Sequence, residues 1–308
     1  LRKPRHEGKI ESNPIKMDFR AKSSDYIHRI EEGIDALLPS ADTRPGIIHD
    51  AMLYSLKAGG KRLRPTLVLA AAEMADAKTD ALPAAIAVEC LHTYSLIHDD
   101  MPCVDNSDLR RGRPTSHKKY GEAMALLAGD ALLTDAFRIL SHHYDDRPAL
   151  GYALVKALSG AASSTALIGG QVEDVIGEGR AISKSDLDFI HLNKTAALIT
   201  ASLEMGLLHG EPSTEDLAAV RRAGRAMGLA FQIVDDILDA TSDAATMGKS
   251  VGRDAELGKN TYVKFYGIDA SRKRVADLTD ESRSEFGRWG KSAAFLKAMA
   301  EEMAGRVR

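Results

Sequence analysis

Seven aspartates fall in two short stretches of this chain, and their type and spacing suit the handling of divalent cations. The first stretch, IHDDMPCVDNSDLRRGRP, holds Asp99, Asp100, Asp105 and Asp108 ahead of the adjacent Arg110 and Arg111. The second, FQIVDDILD, holds Asp235, Asp236 and Asp239. On a helix, positions four apart stand one above the other, so Asp235 and Asp239 share a face with Asp236 beside them. Like charges at that spacing repel by about a few tenths of a kcal/mol when exposed and by more when desolvated, so something positive should sit there. Carboxylate oxygens are hard ligands that suit Mg²⁺, an ion that keeps several waters and bridges a few carboxylates to substrate phosphates. The competing reading of either cluster alone is a solvated face or loop whose charges neutralise one another. Recurrence on two otherwise apolar segments favours the metal.

The first cluster has a different geometry. Asp99 and Asp105 are six residues apart, which on an ideal helix sets them about 120° apart, and Pro102 obstructs regular helix between them. Asp105 is therefore expected to reach a metal from an irregular helix end.

Cations that could meet an anion lie elsewhere. GGKRLRP, Gly59 to Pro65, sets two glycines before Lys61, Arg62 and Arg64. A flexible turn feeding backbone donors and fixed cations toward a helix N-terminus is an anion site in kind, although surface turns with Lys and Arg are common. The planar forks of Arg110 and Arg111 can grip phosphate oxygens, and consecutive residues point in different directions, so the pair could serve two anions. Asp108 is expected to orient these arginines. Lys194, Lys249 and Lys259 stand next to Gly or Thr residues that suit a phosphate loop. His92, seven residues before Asp99 on the same helical face, could donate to a phosphate or simply pack. His98 has a different heading and reads as structural.

The elements that must position these residues are helical. Apolar residues recur at helical spacing, as in Ile27, Ile30, Ile34, Leu37 and Leu38, and no segment shows sustained strand alternation. Ala-rich stretches at Leu82 to His98, Gly121 to Leu140, Pro148 to Val175, Ser185 to His209 and Thr214 to Leu238 favour helix by propensity as well. The expectation is an all-α, single-domain bundle of ten or more helices over residues 17–308, with short connections between antiparallel neighbours. Residues 1–16 are polar and lack helical periodicity, and they read as a leader or a disordered tail.

Composition bounds the rest. At 308 residues and 44% hydrophobic the chain can bury a large core. A formal net charge of -3 offers no basic field for nucleic acid. Two cysteines, Cys90 and Cys103, make no disulfide framework and suggest a reducing cytoplasmic setting. No run of apolar residues is long enough for a membrane span.

Taken in order, GGKRLRP, ECLHTYSLIHDDMPCVDNSDLRRGRPT, LAGDALL, GGQVEDV, HLNKTAALI, FQIVDDILD and GKSVGRDAELGKNTY resemble the trans-isoprenyl diphosphate synthase family from about Gly46 to Tyr266. The first acidic motif looks like DDxxxxD and the second like DDxxD. The resemblance implies an all-α fold around a central cavity, two aspartate motifs facing across it, and a homodimer. It also implies that Mg²⁺ bound by the aspartates holds an allylic diphosphate and helps its diphosphate leave, after which the allylic cation is attacked by isopentenyl diphosphate. Carried over by position, Asp99, Asp105 and Asp235 bind Mg²⁺, assisted by Asp100, Asp236 and Asp239. Lys61, Arg64, His92 and Arg111 match the isopentenyl diphosphate side. Arg110, Lys194, Thr195, Gln232, Lys249 and Lys259 match the allylic side.

Tyr94 stands five residues before Asp99, about 7.5 Å along a helix, a depth suited to stopping a growing chain. An aromatic there, with the longer first motif, resembles bacterial farnesyl diphosphate synthases. Ser95 points more nearly along the Asp99 face, and Tyr94 could instead be ordinary core. Asn106 and Ser107 depart from the acidic residues frequent after the first motif, and the segment from Asp269 on matches only loosely. Alternatives within the same chemistry are geranylgeranyl or geranyl diphosphate synthesis. More distant ones are a class I terpene cyclase, which needs no second diphosphate site, and a non-catalytic synthase subunit.

Overall fold

The structure, a computed structural model, describes residues 14–241 and 258–307. Its helices are α1 (Pro14–Leu37), α2 (Gly46–Leu56), α3 (Leu63–Met74), α4 (Leu82–Asp99), α5 (Ser116–Tyr120), α6 (Glu122–His143), α7 (Pro148–Ala162), α8 (Leu167–Gly177) and α9 (Lys184–Ile190). A π-helical segment, His191–Ala196, joins α9 to α10 (Ala197–Leu208). There follow α11 (Thr214–Thr241), α12 (Tyr262–Tyr266), α13 (Ile268–Phe286) and α14 (Ala294–Gly305). The only sheet among the described residues is a hairpin of two-residue strands, Leu109–Arg110 paired antiparallel with Arg113–Pro114. The chain is thus all-α, as its periodicity predicts.

Helix starts follow local chemistry. Ser183 and Asp186 form a reciprocal capping box at α9, and Ser213 exchanges the same pair of bonds with Asp216 at α11. Pro83 and Pro148 sit in the first turns of α4 and α7, where a missing N–H costs nothing. Pro14 likewise opens α1, so the first helix begins ahead of the boundary expected after residue 16. The long helix expected from Pro148 to Val175 is two helices. Between them the Ser163 hydroxyl donates to Gly160 O and meets Thr165 Oγ1, an alternative to the helical ladder that serine and threonine readily offer.

Helix α4 packs on α6, α3 on α10, and α11 on both α10 and α13. One large buried cluster includes Tyr26, Ile34, Leu67, Ile86, Leu91 and Leu132. A smaller one gathers Ile233, Val234 and Ile237 of α11 with Val275, Leu278, Ala304 and Val307. Helix α11 contributes to both, its first half through Val220 and Met227 and its second through Ile233 and Ile237. That continuity places the second acidic stretch at the rim of a cavity of about 680 Å³ whose other wall is the end of α4.

Candidate active site

Helix α4 presents His92, Leu96 and Asp99 to the cavity, spaced so that they share one face. It ends at Asp99, and the turn that follows folds back so that Asp105 N donates to Asp99 O at 2.9 Å. Asn106 completes the reversal with a positive φ of 45°. Asp105 therefore lines the cavity from an irregular helix end, as its spacing predicts. Burial pushes the Asp99 carboxyl up, Lys194 counters it, and neighbouring Asp105 pushes it further up.

Asp100 turns the other way. It is 3% exposed, and both its oxygens accept from Arg110, Nε at 2.6 Å and Nη2 at 2.8 Å. In this structure the carboxylate expected to assist at the metal is the socket that holds Arg110. Burial opposes the Arg110 charge, but the fork to Asp100 outweighs it and raises the guanidinium pKa. Arg111 and Gly112 form the hairpin turn with φ of 55° and 74°, the double positive φ that a tight two-residue hairpin requires. Arg111 then points away from Arg110 and donates to Gly59 O. Gly60 favours glycine through its φ of 124°, and a Cβ there would also displace the Arg111 guanidinium. The adjacent arginines diverge, as expected. Asp108, expected to orient them, pairs instead with Lys118 at 2.8 Å.

The GGKRLRP turn is held from beneath by Arg62, one of the three cations its motif offers to an anion, which here is engaged by the protein's own carboxylates. Arg62 is left-handed at φ 47° and buried. It donates to Glu31 at 2.7 Å, Glu89 at 2.8 Å and Leu56 O at 2.6 Å. Its neighbours Lys61 and Arg64 line the cavity. Arg64 Nη1 lies 3.3 Å from His92 Nε2, while Arg64 Nε is buried without a hydrogen-bond partner. Burial lowers the Arg64 pKa to about 10. Burial and then Arg64 push His92 well below its usual range, so the imidazole is neutral and Nε2 accepts from Arg64. Burial, reinforced by Arg306, also lowers Lys61.

The opposite wall is built on close backbone approach. A Cβ on Gly170 of α8 would lie 2.3 Å from Lys194 N, so only glycine lets α8 meet the π-helical segment. One turn beyond Gly170, Asp174 accepts from Lys194 Nζ at 2.6 Å and stands 3.6 Å from Lys259 Nζ. Lys194 and Lys259 outweigh burial and lower the Asp174 pKa. Lys259 also reaches Asp105 at 3.3 Å, joining the two walls. Asp174 was a motif residue without a role; its signal was the GG pair preceding it.

From the π-helical segment Thr195 Oγ1 donates to Gln232 Oε1 of α11 at 2.6 Å, and Gln232 Nε2 donates to Asp236 Oδ1 at 2.9 Å. Asp236 Oδ2 accepts from Tyr262 N at 2.6 Å and lies 3.6 Å from His191 Nε2. Asp236, like Asp100, is buried and engaged by the protein frame. Asp235 and Asp239 line the cavity, and Asp235 Oδ1 is 3.1 Å from Arg306 Nη1. Tyr94 and Ser95 are not among the lining residues. Tyr94 is 6% exposed and meets the His98 ring edge-on at 5.6 Å. His98 in turn bonds Leu126 O at 3.1 Å, a packing role. Lys249 lies outside the described residues.

Asp99 and Asp105 thus face Asp235 and Asp239 across a cavity whose cations form two groups. Among the described residues, no three His, Cys, Asp or Glu side chains close on one point as a ready cage. That donor set fits Mg²⁺, which takes one or two carboxylates and completes its shell with water and phosphate oxygens.

Comparison with known proteins agrees with this geometry. The family model described as Polyprenyl synthetase matches residues 45–295. A chloroplastic geranylgeranyl pyrophosphate synthase of Capsicum annuum is 44% identical over 266 residues, covering 85% of this chain and 72% of its own. An FPP/GFPP synthase of Zymomonas mobilis superposes with a TM-score of 0.80 at 32% identity, covering 94% of this chain and 98% of its own. A geranyltransferase of Helicobacter pylori, complexed with magnesium and isoprenyl diphosphate, superposes with a TM-score of 0.77 at 32% identity, covering 97% and 98%. With two facing acidic motifs, two groups of cations and a family match running through both, the chain belongs to the polyprenyl synthetase family and is a prenyl diphosphate synthase.

Proposed function

We propose that the chain catalyses the Mg²⁺-dependent head-to-tail condensation of isopentenyl diphosphate with an allylic diphosphate, first dimethylallyl and then geranyl, to give farnesyl diphosphate. The observation that carries this reading is the separation of the cations into two groups. Lys61, Arg64 and Arg111 cluster with the neutral His92 at the GGKRLRP turn, and the buried, unpartnered Arg64 Nε there is a donor for an anion. Lys194, Lys259 and Arg110, with Thr195 and Gln232, surround the carboxylates on the other side. Two diphosphates need two such groups, whereas a terpene cyclase needs one.

Asp99, Asp105, Asp235 and Asp239 would hold Mg²⁺, which when bound offsets the charge growing on the departing diphosphate. Asp100 and Asp236 position Arg110 and Gln232 rather than the ion. Lys194, Lys259 and Arg110 oppose the same charge from fixed places, so no reorganisation is needed as the C–O bond breaks; Lys249 is assigned to the same side by its motif position alone. The carbon freed of its diphosphate is attacked by the terminal double bond of isopentenyl diphosphate held at Arg64, and loss of a proton to the released diphosphate restores a double bond. Leu63, Leu96, Ile190 and Phe231 give the cavity apolar wall that keeps water from the cation.

The farnesyl product rests on the longer first motif and on the aromatic Tyr94 five residues before Asp99. A second reading, geranylgeranyl diphosphate, is favoured by the 44% identity to the Capsicum annuum protein and by Tyr94 standing off the cavity lining. A homodimer is part of the proposal. It is supported by Ile168, Val172, Val175 and Ile176, 42–51% exposed in one helical stripe of α8. Among the described residues no helix is long and apolar enough to cross a membrane. Free Cys90 and Cys103 suit the proposed cytoplasmic setting.

The deciding assay is diphosphate release from purified protein with Mg²⁺, isopentenyl diphosphate and dimethylallyl or geranyl diphosphate, with products separated by length. The proposal expects release that requires both substrates and a fifteen-carbon product. A twenty-carbon product supports the second reading. Release without isopentenyl diphosphate indicates a cyclase, and no release indicates a non-catalytic subunit.

A further inference from the structure

Arg306 belongs to neither cation group of the proposed mechanism, yet it lines the cavity and pairs with Asp235 at 3.1 Å. Its place is built. It follows α14 directly, and Ala304, two residues before it, and Val307, directly after it, are buried in the small apolar cluster with Ile233 and Ile237. Those two isoleucines straddle Asp235 on α11, so the same helix that carries the carboxylate also anchors the backbone that carries its guanidinium. The pair resembles what Lys259 does at Asp105, where a tethered cation from a distant segment stands 3.3 Å from a cavity carboxylate. The neighbouring charge is Lys61, whose pKa Arg306 lowers and Asp235 raises. Among the described residues, Asp235 thus faces cations of the protein itself, Arg306 in contact and Lys61 and Arg64 farther off.

We infer that Arg306 is a positioning residue for the second acidic cluster: it holds Asp235 toward the cavity and competes with Mg²⁺ for that carboxylate until a diphosphate arrives to share the ion. The inference rests on the proposed metal role of Asp235. Its physical basis is that a carboxylate paired to a guanidinium gives up that pair when it takes an inner-shell cation, so the free protein binds metal more weakly than its carboxylates alone would. A diphosphate adds ligands to the ion and shifts the balance.

The test is Mn²⁺ binding to the full chain by electron paramagnetic resonance, without any diphosphate. Arg306→Met is expected to bind Mn²⁺ about fivefold more tightly than wild type, the size a partly exposed ion pair can hold back. Arg306→Gln carries the same expectation should the methionine variant fold poorly, and Arg306→Lys should stay near wild type. Adding Asp235→Asn to Arg306→Met should abolish the gain. Equal or weaker binding by both neutral variants, with wild-type binding still lowered by Asp235→Asn, overturns the role of Arg306 alone. If Asp235→Asn leaves wild-type Mn²⁺ binding unchanged, the metal role of Asp235 falls and the inference with it.

Discussion

Lys194 Nζ donates to Asp174 Oδ2 at 2.6 Å, and this bond ties the π-helical segment to α8 beneath the cavity. Asp174 also faces Lys259, so one buried carboxylate sets the distance between two cations.

Asp174→Asn should therefore act on both lysines at once. Removing one partner of a largely buried pair costs roughly 3 kcal/mol, visible as a lower midpoint in urea. In the proposed reaction the Michaelis constant for the allylic substrate should rise while that for isopentenyl diphosphate stays near wild type. An equal rise in both would remove the assignment of Asp174 to one side.

Arg110→Lys should not be a conservative change. The lysine keeps the charge but cannot reproduce the two parallel bonds to Asp100. Asp100 is buried, so the loss should cost about 2 kcal/mol of stability. The double variant Arg110→Met with Asp100→Leu should recover part of that stability without recovering turnover, measured by thermal melting and by diphosphate release.

Tyr94→Ala tests product length. If the ring is the floor of the prenyl channel, chromatography should show longer products with little change in diphosphate release. If it is core, the product stays the same and the melting temperature drops, because truncating a buried aromatic costs roughly 3–5 kcal/mol.

His209 supplies a pH dependence remote from the cavity. It is buried against Tyr144 and bonded through Nδ1 to Thr79, and burial lowers its pKa to about 4. The unfolded chain takes up this proton near pH 6.5 and the folded one only near pH 4, so the stabilising contribution is complete above pH 6.5 and is lost as pH falls through that window. The amount is roughly 3 kcal/mol. His209→Gln should flatten the fall of melting temperature between pH 6.5 and 4.5; an unchanged slope would assign it to other groups.

Much of the site was legible because its residues sit on helices whose period is fixed. Spacing alone sets Asp99 near the end of α4 and Asp235 and Asp239 on one face of α11. The divergence of Arg110 and Arg111 followed from adjacency, and the irregular approach of Asp105 from Pro102. Asp100 and Asp236 were harder, because a carboxylate reads the same in sequence whether it faces a cavity or a buried arginine. The break at residues 163–166 was obscured for a related reason: the surrounding alanines and leucines have strong helix propensity, and the hydroxyl bonds that divide the helices are local but optional.

Helical period, apolar stripes and the types of charged residue determined an all-α chain with two acidic stretches and enough cations to meet two anions. Those are properties of near neighbours, and near neighbours are in contact in any helix. Only the tertiary structure decided that Lys259 meets Asp105 across 154 residues, that Glu31 and Glu89 hold Arg62, and that Arg306 returns to Asp235. Each of these contacts joins segments far apart in the chain. No local preference specifies such a contact; it forms because burial of the helices between brings its ends together.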